Sequence, residues 1–239
     1  MNIKLFTVPN LLTLGNLLCG SAAVVFLGVW GDPVIAFCLI AASAVFDFFD
    51  GFAARLLHTP PALGIELDSL ADMVSFGLVP AAVLIHIYGS APQWGSYPDW
   101  AVSAGYFIPL IITAFSALRL AKFNIDDTQH TEFCGLPTPA NALLCVALGA
   151  LASRGMITLA REAIIAISVV CAYLLISRLR MFSLKFSGFG WKGNKLRYCF
   201  LAAALCIIAV CRAYCVPAII VLYIVISLVR AIAGSHRTY

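Results

Sequence analysis

Long apolar runs dominate this chain and leave it few ways to fold. They lie near residues 9 to 30, 33 to 57, 64 to 88, 100 to 120, 138 to 152, 161 to 177, 196 to 211 and 214 to 232. Pro, Gly and charged residues punctuate them. A bilayer offers no water to backbone N–H and C=O groups, so a run crossing it must satisfy them internally as a helix of about 20 residues. The chain is 62% hydrophobic and 11% charged, where a soluble domain carries roughly a quarter charged residues. The expected fold is therefore all-α: a polytopic membrane helix bundle of about eight transmembrane helices, forming a single integral membrane domain over residues 1–239. The connecting segments are too short for a separate soluble module. The first run continues past Ser21, Ala22 and Ala23 to Trp30, which favours a retained helix over a cleaved leader. Residues 196 to 232 are too many for one crossing, and Arg212 with Pro217 marks the expected break.

Charge placement orients the bundle. With both termini cytoplasmic, twelve of the fifteen Lys and Arg residues fall inside and only Arg154, Arg161 and Arg212 outside, as the positive-inside rule requires. The nine cysteines form no CxxC pair and sit almost wholly within apolar runs. They read as small hydrophobic residues rather than as a zinc site or a disulfide framework.

Against this apolar background, four of the eleven acids, Asp47, Asp50, Asp68 and Asp72, crowd into two spanning runs. Carboxylates there are costly and need an interior, wet or metal-bound setting. Asp47 and Asp50 are three residues apart and Asp68 and Asp72 four apart, so each pair projects from one helix face. Gly51 and Ala54 share the face of Asp47, and Gly64 and Ser75 that of Asp68, leaving space beside the carboxylates for a bulky ligand. The short link around Thr59, Pro60 and Pro61 makes the two helices antiparallel neighbours, so all four acids are expected to converge. Their mutual repulsion calls for hard divalent cations, Mg²⁺ or Mn²⁺, and two such ions suit phosphoryl chemistry. Two other readings start from the same acids: hydrogen bonds that pack helices, and the ion site of a cation transporter.

Residues 47 to 72 read DFFDGFAARLLHTPPALGIELDSLAD, or DxxDGxxARx8Gx3Dx3D. This resembles, at every fixed position, the signature of the CDP-alcohol phosphatidyltransferases. The resemblance implies transfer of a phosphatidyl group from a CDP-linked lipid to an alcohol with release of CMP. It implies that Asp47, Asp50, Asp68 and Asp72 gather two divalent ions, with Asp72 the general base. It also implies that Gly51, Ala54 and Gly64 give the cytidine nucleotide close approach, that Arg55 is the motif arginine, and that the enzyme is a homodimer. PNLLTLGNLLCG at 9 to 20, DSLADMVSFGLVPA at 68 to 81, ALRLAKFN at 117 to 124 and FCGLPTPA at 133 to 140 are similar to the branch of the family that makes phosphatidylserine. The substrates implied are CDP-diacylglycerol and L-serine, and the setting is a bacterial inner membrane with the site facing the cytoplasm. Sister enzymes using glycerol phosphate or inositol are the alternative within the family.

A serine acceptor carries a carboxylate, which asks for a fixed cation. Arg119 and Lys122 are candidates, with Asn124 and Thr138 as hydrogen-bonding partners. Arg119 and Lys122 also fit as snorkelling anchors, and Thr138 with Pro139 as an ordinary helix start. Asn10 and Thr13, one turn apart, are candidates for the nucleotide, with a plain helix cap as the other reading of Asn10. Gly188, Gly190 and Gly193 spell GxGxxG, but no strand precedes them and no acid follows at ribose-binding distance, so a dinucleotide fold is rejected. The basic, aromatic stretch from Arg178 to Arg197 reads as a membrane-surface loop. Nothing points to nucleic acid binding.

Overall fold

The computed structural model describes residues 5–58, 61–125, 133–177, 179–181 and 194–235. The GxGxxG stretch and most of the basic segment from Arg178 to Arg197 lie outside them. The described chain is helical apart from one two-residue antiparallel pair, β1 (Phe133–Cys134) with β2 (Arg180–Met181). The helices are α1 (Val8–Trp30), α2 (Pro33–Leu56), α3 (Pro61–Asp72), α4 (Val79–Ser90), α5 (Asp99–Gly105), α6 (Leu110–Ile125), α7 (Thr138–Ser153), α8 (Arg161–Ile176), α9 (Lys195–Cys211) and α10 (Cys215–Ser235). Five stretches are long and apolar enough to cross a membrane: Val8–Trp30, Pro33–Leu56, Leu63–Ser90, Asp99–Ile125 and Lys195–Ala231. Large apolar side chains such as Leu18, Val29 and Phe48 project outward, as lipid-facing residues do.

Local chemistry sets the helix ends. Thr7 caps α1 by accepting the Asn10 N–H, and Asp32 caps α2 by accepting the Val34 N–H, each followed by a proline in the first turn. Gly31, at φ 64°, closes α1 in the left-handed conformation and turns the chain straight into α2. Arg212, also at positive φ, ends α9. The break expected at Arg212 is therefore present, and α9 and α10 pack against each other beyond it.

Two interruptions were not foreseen. The expected run over 64 to 88 contains a π turn, Met73–Leu78, between α3 and α4, with the Val79 N–H reaching back to the Val74 carbonyl. Pro80 cannot donate to a regular ladder there, and the Gly77 carbonyl accepts from Thr113 Oγ1 of α6 at 3.0 Å. The run over 100 to 120 breaks around Pro109, where tight turn bonds such as Phe107 N–H to Ala104 O replace α-helical ones.

One core layer joins α1, α2, α4 and α7 through Ala23, Leu27, Ala36, Ile40, Phe76, Val83 and Val146. Another joins α4, α6, α7 and α8 through Leu84, Ile112, Cys145 and Ile164. Helix α1 approaches the π turn so closely that a Cβ on Gly20 would lie 2.7 Å from the Ser75 Cα. Only glycine permits that spacing, which brings the polar face of α1 against the acids of α2 and α3.

Candidate metal and nucleotide-lipid site

Helix α1 carries a polar stripe, Asn10, Thr13 and Asn16, at one-turn spacing, and each residue is buried. Thr13 Oγ1 donates to Asp50 Oδ2 at 2.7 Å, tying α1 to α2. Asn16 Nδ2 donates to Asp72 Oδ1 at 2.9 Å, tying α1 to α3. Asn10 Nδ2 caps the Leu5 carbonyl, and its Oδ1 faces Gly64.

The structure brings Asp47, Asp50 and Asp68 together, with one ligand oxygen from each lying within 4.8 Å of the others. Asp72 is not part of that group. Asp72 sits one turn further along α3, 6% exposed and held by Asn16, within electrostatic reach of Asp47, Asp68 and Asp50. The carboxylate set fits a hard divalent cation, because its donors are all charged oxygens. In addition, the buried Asp68 Oδ1 has no hydrogen-bond partner among the described residues.

Beside the cluster opens a cavity of about 490 Å³ whose walls include Asn10, Thr13, Gly51, Ala54, Arg55 and Gly64. A Cβ added to Gly51 or Gly64 would come no closer than 3.6 Å to any protein atom considered, so packing does not require glycine at either position. The space they leave belongs to the cavity. Of the residues expected to hold a nucleotide, all but Ser75 line it. Ser75 is fully buried, donates to the Ala71 carbonyl and packs on Gly20; its small side chain serves helix contact.

The residues expected for an acceptor divide similarly. Arg119 and Lys122 line a second cavity of about 360 Å³, closed on its other side by Leu175, Ile176 and Ser177 at the end of α8. The Arg119 guanidinium donates to Thr138 Oγ1 at 3.4 Å, while its buried Nε has no hydrogen-bond partner among the described residues. Asp72 lies within its electrostatic reach. Thr138 is the first residue of α7 and is buried beneath Arg119, so it is both a helix start and a partner of Arg119. Asn124 instead reaches Ser69 at 2.9 Å and links α6 to α3 on the exposed surface. The 133 to 140 segment is fixed rather than free: the Gly135 N–H bonds the Leu179 carbonyl and the Leu136 N–H the Leu174 carbonyl. Gly135, at φ 78°, has no room for a Cβ beside the Leu175 carbonyl.

Sequence reasoning missed Asn16 and Ser43. Their signal was present: Asn16 continues the Asn10 and Thr13 stripe, and Ser43 lies one turn before Asp47 on the same face of α2.

Comparison with known proteins agrees with this geometry. The family model described as CDP-alcohol phosphatidyltransferase matches residues 6–184. A Mycobacterium tuberculosis protein named CDP-diacylglycerol–serine O-phosphatidyltransferase is 36% identical over 156 residues, covering 62% of this chain and 51% of the relative. One of the same name from Helicobacter pylori is 37% identical over 144 residues, 59% of this chain and 56% of the relative. The chain thus spans about half the length of these two relatives. A third, from Methanocaldococcus jannaschii, is 29% identical over 232 residues, covering 97% of this chain and 98% of the relative.

Proposed function

Since the chain belongs to the CDP-alcohol phosphatidyltransferase family, we propose that it transfers the phosphatidyl group of CDP-diacylglycerol to L-serine, giving phosphatidylserine and CMP. The observation that carries this reading is the carboxylate trio beside a glycine-lined cavity, with a second cavity lined by Arg119 and Lys122. In the net reaction, a bond forms between the serine hydroxyl oxygen and the phosphatidyl phosphorus. The pyrophosphate bond to CMP breaks, and the hydroxyl proton leaves to a base. Asp72 is that base: it is held by Asn16 and lies within electrostatic reach of Arg119. Asp47, Asp50 and Asp68 would hold Mg²⁺ or Mn²⁺, and two such ions, when bound, neutralise pyrophosphate oxygens and the departing phosphate. Thr13 fixes the orientation of Asp50. Asn10, Gly51, Ala54, Arg55 and Gly64 form the cytidine wall. Arg119, through its unpartnered Nε, and Lys122 receive the serine carboxylate.

This is an integral membrane protein; eight crossings with both termini cytoplasmic are the reading that the apolar runs and the positive-inside charge distribution support. Arg55, Arg119 and Lys122 lie at the carboxylate end of the bundle, which supports a site facing the cytoplasm. An inner bacterial membrane and a homodimer are supported by the family resemblance alone. The test is CMP release by purified protein given CDP-diacylglycerol, Mn²⁺ and, in turn, L-serine, glycerol phosphate and inositol. Release stimulated by serine alone is expected. Stimulation by a different alcohol would reassign the acceptor, and no release with any of them would favour the transporter reading.

A further inference from the structure

Asn16 is fully buried in α1, where an amide is costly unless its polar atoms are met. Its Nδ2 donates to Asp72 Oδ1 at 2.9 Å. On its other side the hydroxyl of Ser43, itself fully buried on α2, donates to Asn16 Oδ1 and lies 3.0 Å from the Asn16 backbone carbonyl. This fixes which way the amide faces. An ionised carboxylate only accepts, so a flipped amide would set carbonyl oxygen against carboxylate oxygen, whereas the Ser43 hydroxyl can take the donor role that Oδ1 requires. The chain Ser43, Asn16, Asp72 therefore runs in one direction across three helices and occupies one oxygen of Asp72.

We infer that Asn16 is a positioning residue for the transfer reaction: clamped by Ser43, it holds one oxygen of the Asp72 carboxylate so that the other faces the acceptor hydroxyl. This rests on the reading of Asp72 as the base. The same α1 face shows the alternative use of such a group, since Thr13 ties a member of the carboxylate trio, Asp50, and so bears on ion binding. Asn16 touches none of the trio through any hydrogen bond in the structure, so its removal should leave ion and nucleotide binding in place. A misplacement of a reacting group by about 1 Å costs on the order of 10²-fold in rate.

The experiment compares purified wild type with Asn16→Leu, Ser43→Ala, the double variant and Asp72→Asn. It reads kcat, KM for CDP-diacylglycerol, and Mn²⁺ bound by electron paramagnetic resonance. Asn16→Leu should lower kcat about 100-fold with KM and Mn²⁺ binding within about twofold of wild type. Ser43→Ala should lower kcat about tenfold, and adding it to Asn16→Leu should cost nothing more, because it acts through the amide. Should Asn16→Leu fail to assemble, the kcat and KM split in Ser43→Ala carries the same claim. A kcat near wild type in both single variants, or loss of Mn²⁺ binding in step with rate, overturns the positioning role. Full activity in Asp72→Asn overturns instead the reading of the base, so the two failures are distinguishable.

Discussion

The two ends of the bundle use polar groups in opposite ways. At the far end, Arg161 and Glu162 open α8 and close on the backbone of the 91 to 98 loop. Arg161 bonds the Tyr88 carbonyl and the Gln93 side chain and lies 5.4 Å from the centre of the Tyr88 ring, while Glu162 accepts the N–H groups of Trp94 and Gly95. Opposite charges there sit side by side and bond the backbone to hold a loop, with Glu162 Oε2 the one oxygen of the pair left unmet among the described residues. At the site end, three carboxylates face one another, and buried Asp68 Oδ1 and Arg119 Nε are unmet among the described residues. What sets the site apart is the gathering of three like charges, which a membrane protein keeps where something outside the chain offsets them.

The comparison is broken most sharply at the trio. Asp47→Asn, Asp50→Asn and Asp68→Asn should each lower CMP release by about 10³-fold or more, since each removes a charged ion ligand from a set of three. Any one of them turning over at the wild-type rate would make that residue a packing group like those at the far end. The next effect in size is at Asp72. Asp72→Asn should slow turnover by roughly 10² to 10⁴-fold while binding of CDP-diacylglycerol, followed by calorimetry, changes little; binding lost in parallel with rate would place Asp72 among the ion ligands. Arg119→Ala should raise the KM for serine by about 10 to 100-fold, as expected for a lost charge-assisted contact, and leave that for CDP-diacylglycerol nearly unchanged. Arg119→Lys should recover only part, a point charge replacing a planar fork. The smallest effect belongs to the far end: Arg161→Ala should lower Tm by a few degrees and leave kcat intact. A kcat loss there would mean that the two ends are coupled.

The carboxylates, the glycines and the break at Arg212 were legible from sequence because each violates a local rule: charge in an apolar run, glycine beside charge, a cation inside a hydrophobic stretch too long for one crossing. The π turn was not, because Met73–Leu78 has an ordinary helical composition and its register depends on Pro80 and on Thr113 from another helix. What holds Asp72 was equally hidden. Spacing places Asp68 and Asp72 on one face, but the partner that holds Asp72 is Asn16, 56 residues away. Ser75 shares that face by spacing too, and the close approach of Gly20 turned it into a packing contact.

The claim on which the rest depends is that the trio holds the divalent ions on which transfer relies. It is tested by titrating Mn²⁺ into metal-stripped wild type and Asp68→Asn while following bound ion by electron paramagnetic resonance and CMP release in the same samples. The account predicts that wild type binds the ion and regains release together, and that Asp68→Asn does neither at the same concentrations. Serine-dependent CMP release by stripped wild type in excess chelator, at the rate of the reloaded protein, would contradict it.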